Sequence, residues 1–213
     1  MQLSFLDTVT STPLDYELSA NQRGFTAIAG IDEAGRGPLA GPVIAAAVIL
    51  PDSFDLPGLT DSKKLSAQKR EELYPLIRAQ ARAFAIGLAS ATTIDRVNVL
   101  QGTLLAMQAA VTRLPIPADY LLVDGISKVP FSTPQITIKQ GDSRSLSIAA
   151  ASVLAKVVRD RIMYAFARHY PQYGFAEHKG YGTAAHLAAI ARFGPSPLHR
   201  KTFRGVREYV PEP

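Results

Sequence analysis

Residues 26–50 read TAIAGIDEAGRGPLAGPVIAAAVIL, and this stretch decides the fold. Residues 26–32 (TAIAGID) are apolar until the closing acid, as expected of a strand buried in a sheet. Residues 42–50 (PVIAAAVIL) form a second such run, rich in Val, Ile and Ala. The link EAGRGPLAG holds three glycines and a proline. It is too short for a crossover helix, so the runs are expected side by side around a tight hairpin-like loop.

Working outward, Ser66 is placed to cap a helix running to about residue 83, which Pro75 is expected to kink or split. Residues 84–89 read as a third strand and 98–113 as a helix closed by prolines at 115 and 117. Residues 120–123 make a short strand running into Asp124-Gly125, and 135–139 (QITIK) alternate before Gly141-Asp142. The longest helical stretch, about 147–170, is Ala-rich and apolar nearly all round in its first half. Its small residues let the backbone approach a neighbour closely, which places that half centrally. A last helix covers 184–193. The expectation is an α/β domain with a mixed sheet over residues 25–213, preceded by an irregular, loosely held arm at 1–24.

Composition narrows the function. The chain has 213 residues, 47% hydrophobic and 19% charged, enough apolar material for a core. Cysteine is absent, which excludes disulfide scaffolds, cysteine zinc sites, iron–sulfur clusters and thiol catalysis. The longest apolar run has 8 residues, and no signal-peptide pattern opens the sequence, so a cytoplasmic protein without membrane association is expected. The net charge of +5 is unevenly placed: residues 1–123 carry −2 and residues 124–213 carry +7. A basic half suits a polyanion such as nucleic acid, or simply a solvated surface.

Three strands end on acid, at Asp32-Glu33, at Asp124 and shortly before Asp142. Sites in α/β sheets form where strand ends converge. Four carboxylates brought together repel, and divalent cations relieve that repulsion. Oxygen ligands without cysteine or clustered histidine point to Mg²⁺ or Mn²⁺. Two such ions about 3.5–4 Å apart can activate a water and stabilise the leaving oxygen of a phosphoryl displacement. Simpler readings exist: Asp124-Gly125 as a turn, Asp142 as a helix cap, Asp32-Glu33 as a Walker B pair. The last needs a GxxxxGK[ST] loop, which the chain lacks.

GIDEAGRGPLAGPV (30–43) resembles the signature of the type 2 ribonucleases H, in the form carried by bacterial ribonuclease HII. The match continues through DSKKLS (61–66), VDG (123–125), KQGDSRSLSIAAASVLAKVVRDR (139–161), HKGYGT (178–183) and PLHRKTF (197–203). These six blocks, in the family's order, cover roughly residues 26–204. The resemblance implies a ribonuclease-H-like fold: a mixed five-stranded sheet flanked by helices, with a small helical C-terminal part. It implies endonucleolytic hydrolysis of RNA in RNA–DNA hybrids and incision 5′ of single ribonucleotides embedded in duplex DNA, leaving 3′-hydroxyl and 5′-phosphate ends. Matched by motif, the catalytic metal ligands are Asp32, Glu33, Asp124 and Asp142, the acids already picked out by the strand ends. One ion would lie between Asp32, Asp124 and Asp142, and a second near Asp32 and Glu33.

Gly35, Arg36 and Gly37 match the family's sensor of the ribose 2′-OH, a role suited to glycines that admit close backbone approach. Tyr181 matches the tyrosine that packs on the next, deoxy, sugar. Lys63 and Lys64 match a motif near the substrate backbone, and Arg144, Lys179 and Arg200 lie in or beside matched blocks where they could hold phosphates. Lys156, Arg159 and Arg161 are expected to be part helix surface and part phosphate-facing. The four histidines lack ligand spacing, and none is given a catalytic role. Two rivals are a ribonuclease HIII-like enzyme, whose extra N-terminal domain finds no room before the first strand, and a non-catalytic hybrid-binding module, which gains nothing from four acids. Gln2-Leu3-Ser4-Phe5-Leu6 resembles a sliding-clamp docking peptide with its last two positions swapped, or else packs on its own domain. The family implies a monomer.

Overall fold

The computed structural model describes residues 12–210, so the proposed docking peptide at 2–6 lies outside them. The segment expected as an irregular arm contains a helix, α1 (Asp15–Gln22). It is pinned rather than loose: buried Glu17 accepts hydrogen bonds from Ser145 Oγ at 2.6 Å and the Ser147 amide at 2.9 Å. Strands β1 (Ile28–Ala34) and β2 (Val43–Ile49) pair antiparallel, with Asp32 opposite Ala46 and Glu33 opposite Ala45. The predicted hairpin is therefore present, and β1 extends far enough to carry both acids.

Helix α2 (Ala67–Gln80) begins at Ser66, whose hydroxyl accepts from the Lys69 amide. It is not split at Pro75. The proline lies on the exposed side, where water can serve the carbonyl that it leaves without a donor. Strand β3 (Ala83–Ala89) joins β2 antiparallel. The helix expected at 98–113 is preceded by a short one that sequence reading missed. These are α3 (Ala91–Val97) and α4 (Val99–Thr112), separated at Asn98, whose φ is 69°. Strands β4 (Tyr120–Asp124) and β5 (Gln135–Ile138) add in parallel, giving the order β3-β2-β1-β4-β5.

Alternation along β2 shows why its run is apolar throughout. Val43, Ala45, Ala47 and Ile49 face the layer built by α3 and α4. Ile44, Ala46 and Val48 face α2 and α5 (Leu146–His169). Burial on both faces removes the polar half of the usual strand pattern. The small residues of α5 do what was expected of them: Ala149, Ala150 and Ala151 are buried against the sheet. At Gly30 a Cβ would come 2.1 Å from the Ser147 carbonyl carbon, so the helix rests directly on β1 backbone. Helices α6 (Phe175–His178) and α7 (Ala184–Phe193) form the C-terminal part, around a cluster that includes Leu39, Met163, Phe175, Ile190 and Val206. No helix among the described residues is long and apolar enough to cross a membrane.

Candidate active site

The parallel pairing of β1 with β4 brings Asp32, Glu33 and Asp124 to one edge of the sheet, with carboxylate oxygens within 4.8 Å of one another. Asp32 is the most enclosed, at 2% exposure, and its Oδ1 accepts the Glu33 amide at 2.7 Å. Asp124 Oδ1 accepts the Gly141 amide at 2.7 Å, which fastens the turn bearing Asp142 to the end of β4. Asp142 sits in that turn, and the cap of α5 is Ser145 instead. Its carboxylate pairs with the Lys63 ammonium at 3.2 Å. Three of the four expected acids thus form the compact cluster, with the fourth beside it.

Burial, reinforced by the charges of Glu33 and Asp124, holds the Asp32 carboxyl well above the usual range for an aspartate. Burial also raises Glu33, against the pull of the Arg36 guanidinium, which lies 3.3 Å from its carboxylate. Asp142 is raised by burial, with Lys63 opposing. The donor set consists of hard carboxylate oxygens that repel one another, and the cations of Lys63 and Arg36 already reach for it. These residues fit divalent cations of the Mg²⁺ or Mn²⁺ kind.

A cleft of about 230 Å³ opens over the acids. It is lined by Asp32, Glu33 and Asp124, by Gly35, Arg36 and Gly37, and by Lys63 and Tyr181. The ring of Tyr181 is half exposed, and its Cε1 lies 3.7 Å from where a Cβ on Gly37 would stand. Lys156 also lines the cleft, paired with Asp160 at 2.6 Å, and so do Ser62 and Ser152, joined by a 2.6 Å hydroxyl bond. Sequence reasoning missed the two serines; only their places in matched blocks could have signalled them. Lys64 reaches Ser143 Oγ at 2.9 Å.

Other expected phosphate holders stand elsewhere. Arg144 lies over the Tyr16 ring, and Lys179 lies over Tyr164 while donating to the Ala176 carbonyl. Arg161 pairs with Glu71 at 2.5 Å on the surface. Arg200 and Arg159 are corrections of a stronger kind. Both are fully enclosed, at 0% and 1% exposure, and their guanidinium groups donate to backbone carbonyls. At 0% exposure under the 35–42 loop Arg200 cannot meet a phosphate, whereas Arg159, at 1%, borders the floor of the cleft.

A mixed five-stranded sheet with carboxylates gathered at its strand ends, beside a glycine loop, defines a nuclease of the ribonuclease-H-like fold. The chain belongs to the ribonuclease HII family, whose model matches residues 29–206. It is 68% identical to ribonuclease HII of Syntrophotalea carbinolica over 199 residues, covering 93% of this chain and 95% of that one. Identity to ribonuclease HII of Geobacter metallireducens is 59% over 211 residues, 99% of each chain. Among solved structures, the PCNA:RNase HII complex from Archaeoglobus fulgidus superposes with a TM-score of 0.71 at 25% identity, covering 84% of this chain and 96% of that one. The activity is that of a ribonuclease H, an endoribonuclease.

Proposed function

We propose that this ribonuclease H cuts the RNA strand of RNA–DNA hybrids and nicks duplex DNA on the 5′ side of a single embedded ribonucleotide. The observation that carries this reading is the sharing of one cleft by the acid cluster, the Gly35-Arg36-Gly37 loop and Tyr181. Asp32, Glu33, Asp124 and Asp142 would hold the cations. Two divalent ions bound there would offset the cluster's charge, polarise the attacking water and stabilise the departing 3′-oxygen. In the reaction, water adds to phosphorus and the P–O3′ bond breaks; the 3′-oxygen leaves as a hydroxyl after taking a proton, and the phosphate stays on the 5′ end.

The protein itself positions the strand. The loop brings backbone within reach of a ribose 2′-OH, which distinguishes RNA from DNA at that point. Tyr181 offers a ring for the neighbouring deoxyribose. Ordering the scissile phosphate through a contact that only ribose can make places specificity in the reactive alignment rather than in affinity alone. The complex of the Archaeoglobus fulgidus relative with PCNA supports a clamp partner here, and residues 2–6 are the segment that the sequence offers for it. A cytoplasmic monomer is the form that this reading uses.

The test is a nicking assay on a duplex with one ribonucleotide, with Mg²⁺ and with Mn²⁺ in turn. The expected result is one incision, 5′ of the ribonucleotide, with a 3′-hydroxyl product. A chain that ignores this duplex and cuts only long RNA tracts would overturn the reading.

A further inference from the structure

Beneath the cleft lie two buried arginines whose desolvation is costly. Arg200 and Arg159 form no ion pair with any of the described residues, and both guanidinium groups are enclosed. Arg200 makes four hydrogen bonds and Arg159 three, all to main-chain oxygen. Arg200 donates through Nη2 to Gly35 O at 2.5 Å and Gly41 O at 2.9 Å, and through Nη1 to Arg36 O at 2.7 Å. Its Nε reaches Gly41 O at 3.1 Å. Arg159 donates to Pro42 O at 3.1 Å, Ala40 O at 3.2 Å and Lys179 O at 3.0 Å. A charge buried without a counter-ion is among the most expensive groups a core can hold. Removing either would leave buried carbonyls without donors, so the return is partly structural, with room for a benefit at the cleft.

The direction of the peptide groups supplies one. In a trans peptide unit the carbonyl and the following N–H point in opposite directions, and the chain has no cis bonds among the described residues. With the Gly35 and Arg36 carbonyls turned down onto Arg200, the N–H groups of Arg36 and Gly37 turn away from it, toward the cleft that these residues line. Neither N–H donates to any of the described residues. Gly35 permits this arrangement, with φ at +101° and a close underlying neighbour: a Cβ there would come 2.1 Å from Arg159 Nε. Arg159 also spans from Ala40 to Lys179, two residues before Tyr181, so the loop and the tyrosine's segment rest on one support.

We propose that Arg200, braced by Arg159, is a positioning residue for ribose recognition: it fixes the peptide direction of the loop so that two N–H donors, of Arg36 and Gly37, face the sugar's 2′-oxygen. This rests on the reading above that the loop senses ribose. It assigns Arg200 an action on the substrate through the loop, in place of the phosphate contact expected from its sequence block.

The test measures the ratio of dissociation constants for an all-deoxy duplex and for the same duplex with one ribonucleotide, in the Asp32→Asn background that holds the substrate uncut. Arg200→Lys keeps the charge and loses the fork, whereas Arg200→Gln loses both. The expected result is that either variant loses about tenfold in affinity for the ribonucleotide duplex, the scale of one or two hydrogen bonds. Affinity for the all-deoxy duplex is expected to stay within about threefold, a split that general destabilisation would not produce. A ratio unchanged in a folded variant overturns the role of Arg200 while leaving ribose sensing intact. A wild-type ratio of one overturns ribose sensing itself, and the role of Arg200 with it. Amide exchange on the wild-type chain tests the two loop donors directly, even if both variants fail to fold. The Arg36 and Gly37 amides should exchange freely in the free protein and be protected by the ribonucleotide duplex alone. Equal protection by both duplexes overturns the inference.

Discussion

The two walls of the cleft are held in opposite ways. On one side, three carboxylates crowd at the strand ends beside Asp142, and that charge is only partly met, by Arg36 at Glu33 and Lys63 at Asp142. On the other, two guanidinium groups lie buried under the glycine loop with no acid paired to either. The sheet tolerates the first arrangement because cations can enter from solvent. The loop tolerates the second because main-chain oxygen surrounds both arginines. Each wall gives up stability for a charge aimed elsewhere, one at metal and phosphate, the other at the direction of peptide groups.

The largest expected effect comes from removing charge on the acid wall. Asp32→Asn should lower cleavage by at least ~10²–10³-fold, the size seen when one electrostatic stabiliser of a transition state is lost. Hybrid binding should remain measurable. The same variant should be more stable than wild type with a chelator present, seen as a higher melting temperature. The sign follows from the raised Asp32 carboxyl: burial and the neighbouring acids make its ionised form costly in the fold. Asparagine can still accept the Glu33 amide. Unimpaired turnover with Mg²⁺ would remove the central claim, and a drop in stability would contradict the electrostatic account.

On the other wall, Gly35→Ala should act through geometry rather than charge. The new methyl meets Arg159 and the Pro42 carbonyl at a positive φ, so about 2–4 kcal/mol of stability should be lost. Denaturant titration reads it. A loss below about 0.5 kcal/mol, the range of an ordinary surface change, would mean that the loop is not clamped.

How legible were these walls in the sequence? The acids were, because an apolar run that ends in Asp32-Glu33 or Asp124 places them at a sheet edge whatever the strand order. The arginines were not. Composition counts Arg200 among surface cations, and only the chain crossing above it, from a segment more than 150 residues earlier, reveals a buried clamp. Helix α1 was missed because its faces are mixed, with only Glu17 and Ala20 buried. Pro75 misled because its effect depends on which side of α2 it occupies.

A third device supports Tyr181 without any charge. His186 Nδ1 lies 2.9 Å from the Tyr181 carbonyl, and its Nε2 lies 3.0 Å from His199 Nε2. His199 Nδ1 in turn accepts the Ser196 amide at 2.9 Å. This pattern needs both rings neutral, and burial lowers each to about 4. In the unfolded chain they titrate near 6.5, so above that pH neither state holds the extra protons. Between 6.5 and 4 the unfolded state takes up protons that the fold refuses. Stability therefore falls with falling pH, by up to ~1.4 kcal/mol per pH unit for each ring. Comparing denaturation midpoints of wild type and His199→Gln at pH 7 and pH 4.5 cancels the carboxylates. An identical pH slope in the two would refute the neutral relay.

The smallest effect returns to the acid wall. Lys63 pairs with Asp142, yet its side chain is 75% exposed against 5% for the acid. An exposed partner is held loosely and screened by salt, so Lys63→Met should cost only about 0–1 kcal/mol at low ionic strength, and less at high. The ammonium matters more for the site than for the fold, because it lies in the cleft where substrate phosphates would arrive. Hybrid affinity should therefore weaken and its salt dependence should flatten by about one phosphate contact. If affinity and salt slope both stayed at wild-type values, Lys63 would serve Asp142 alone. The acid wall would then meet the strand through its cations and the loop, without this lysine.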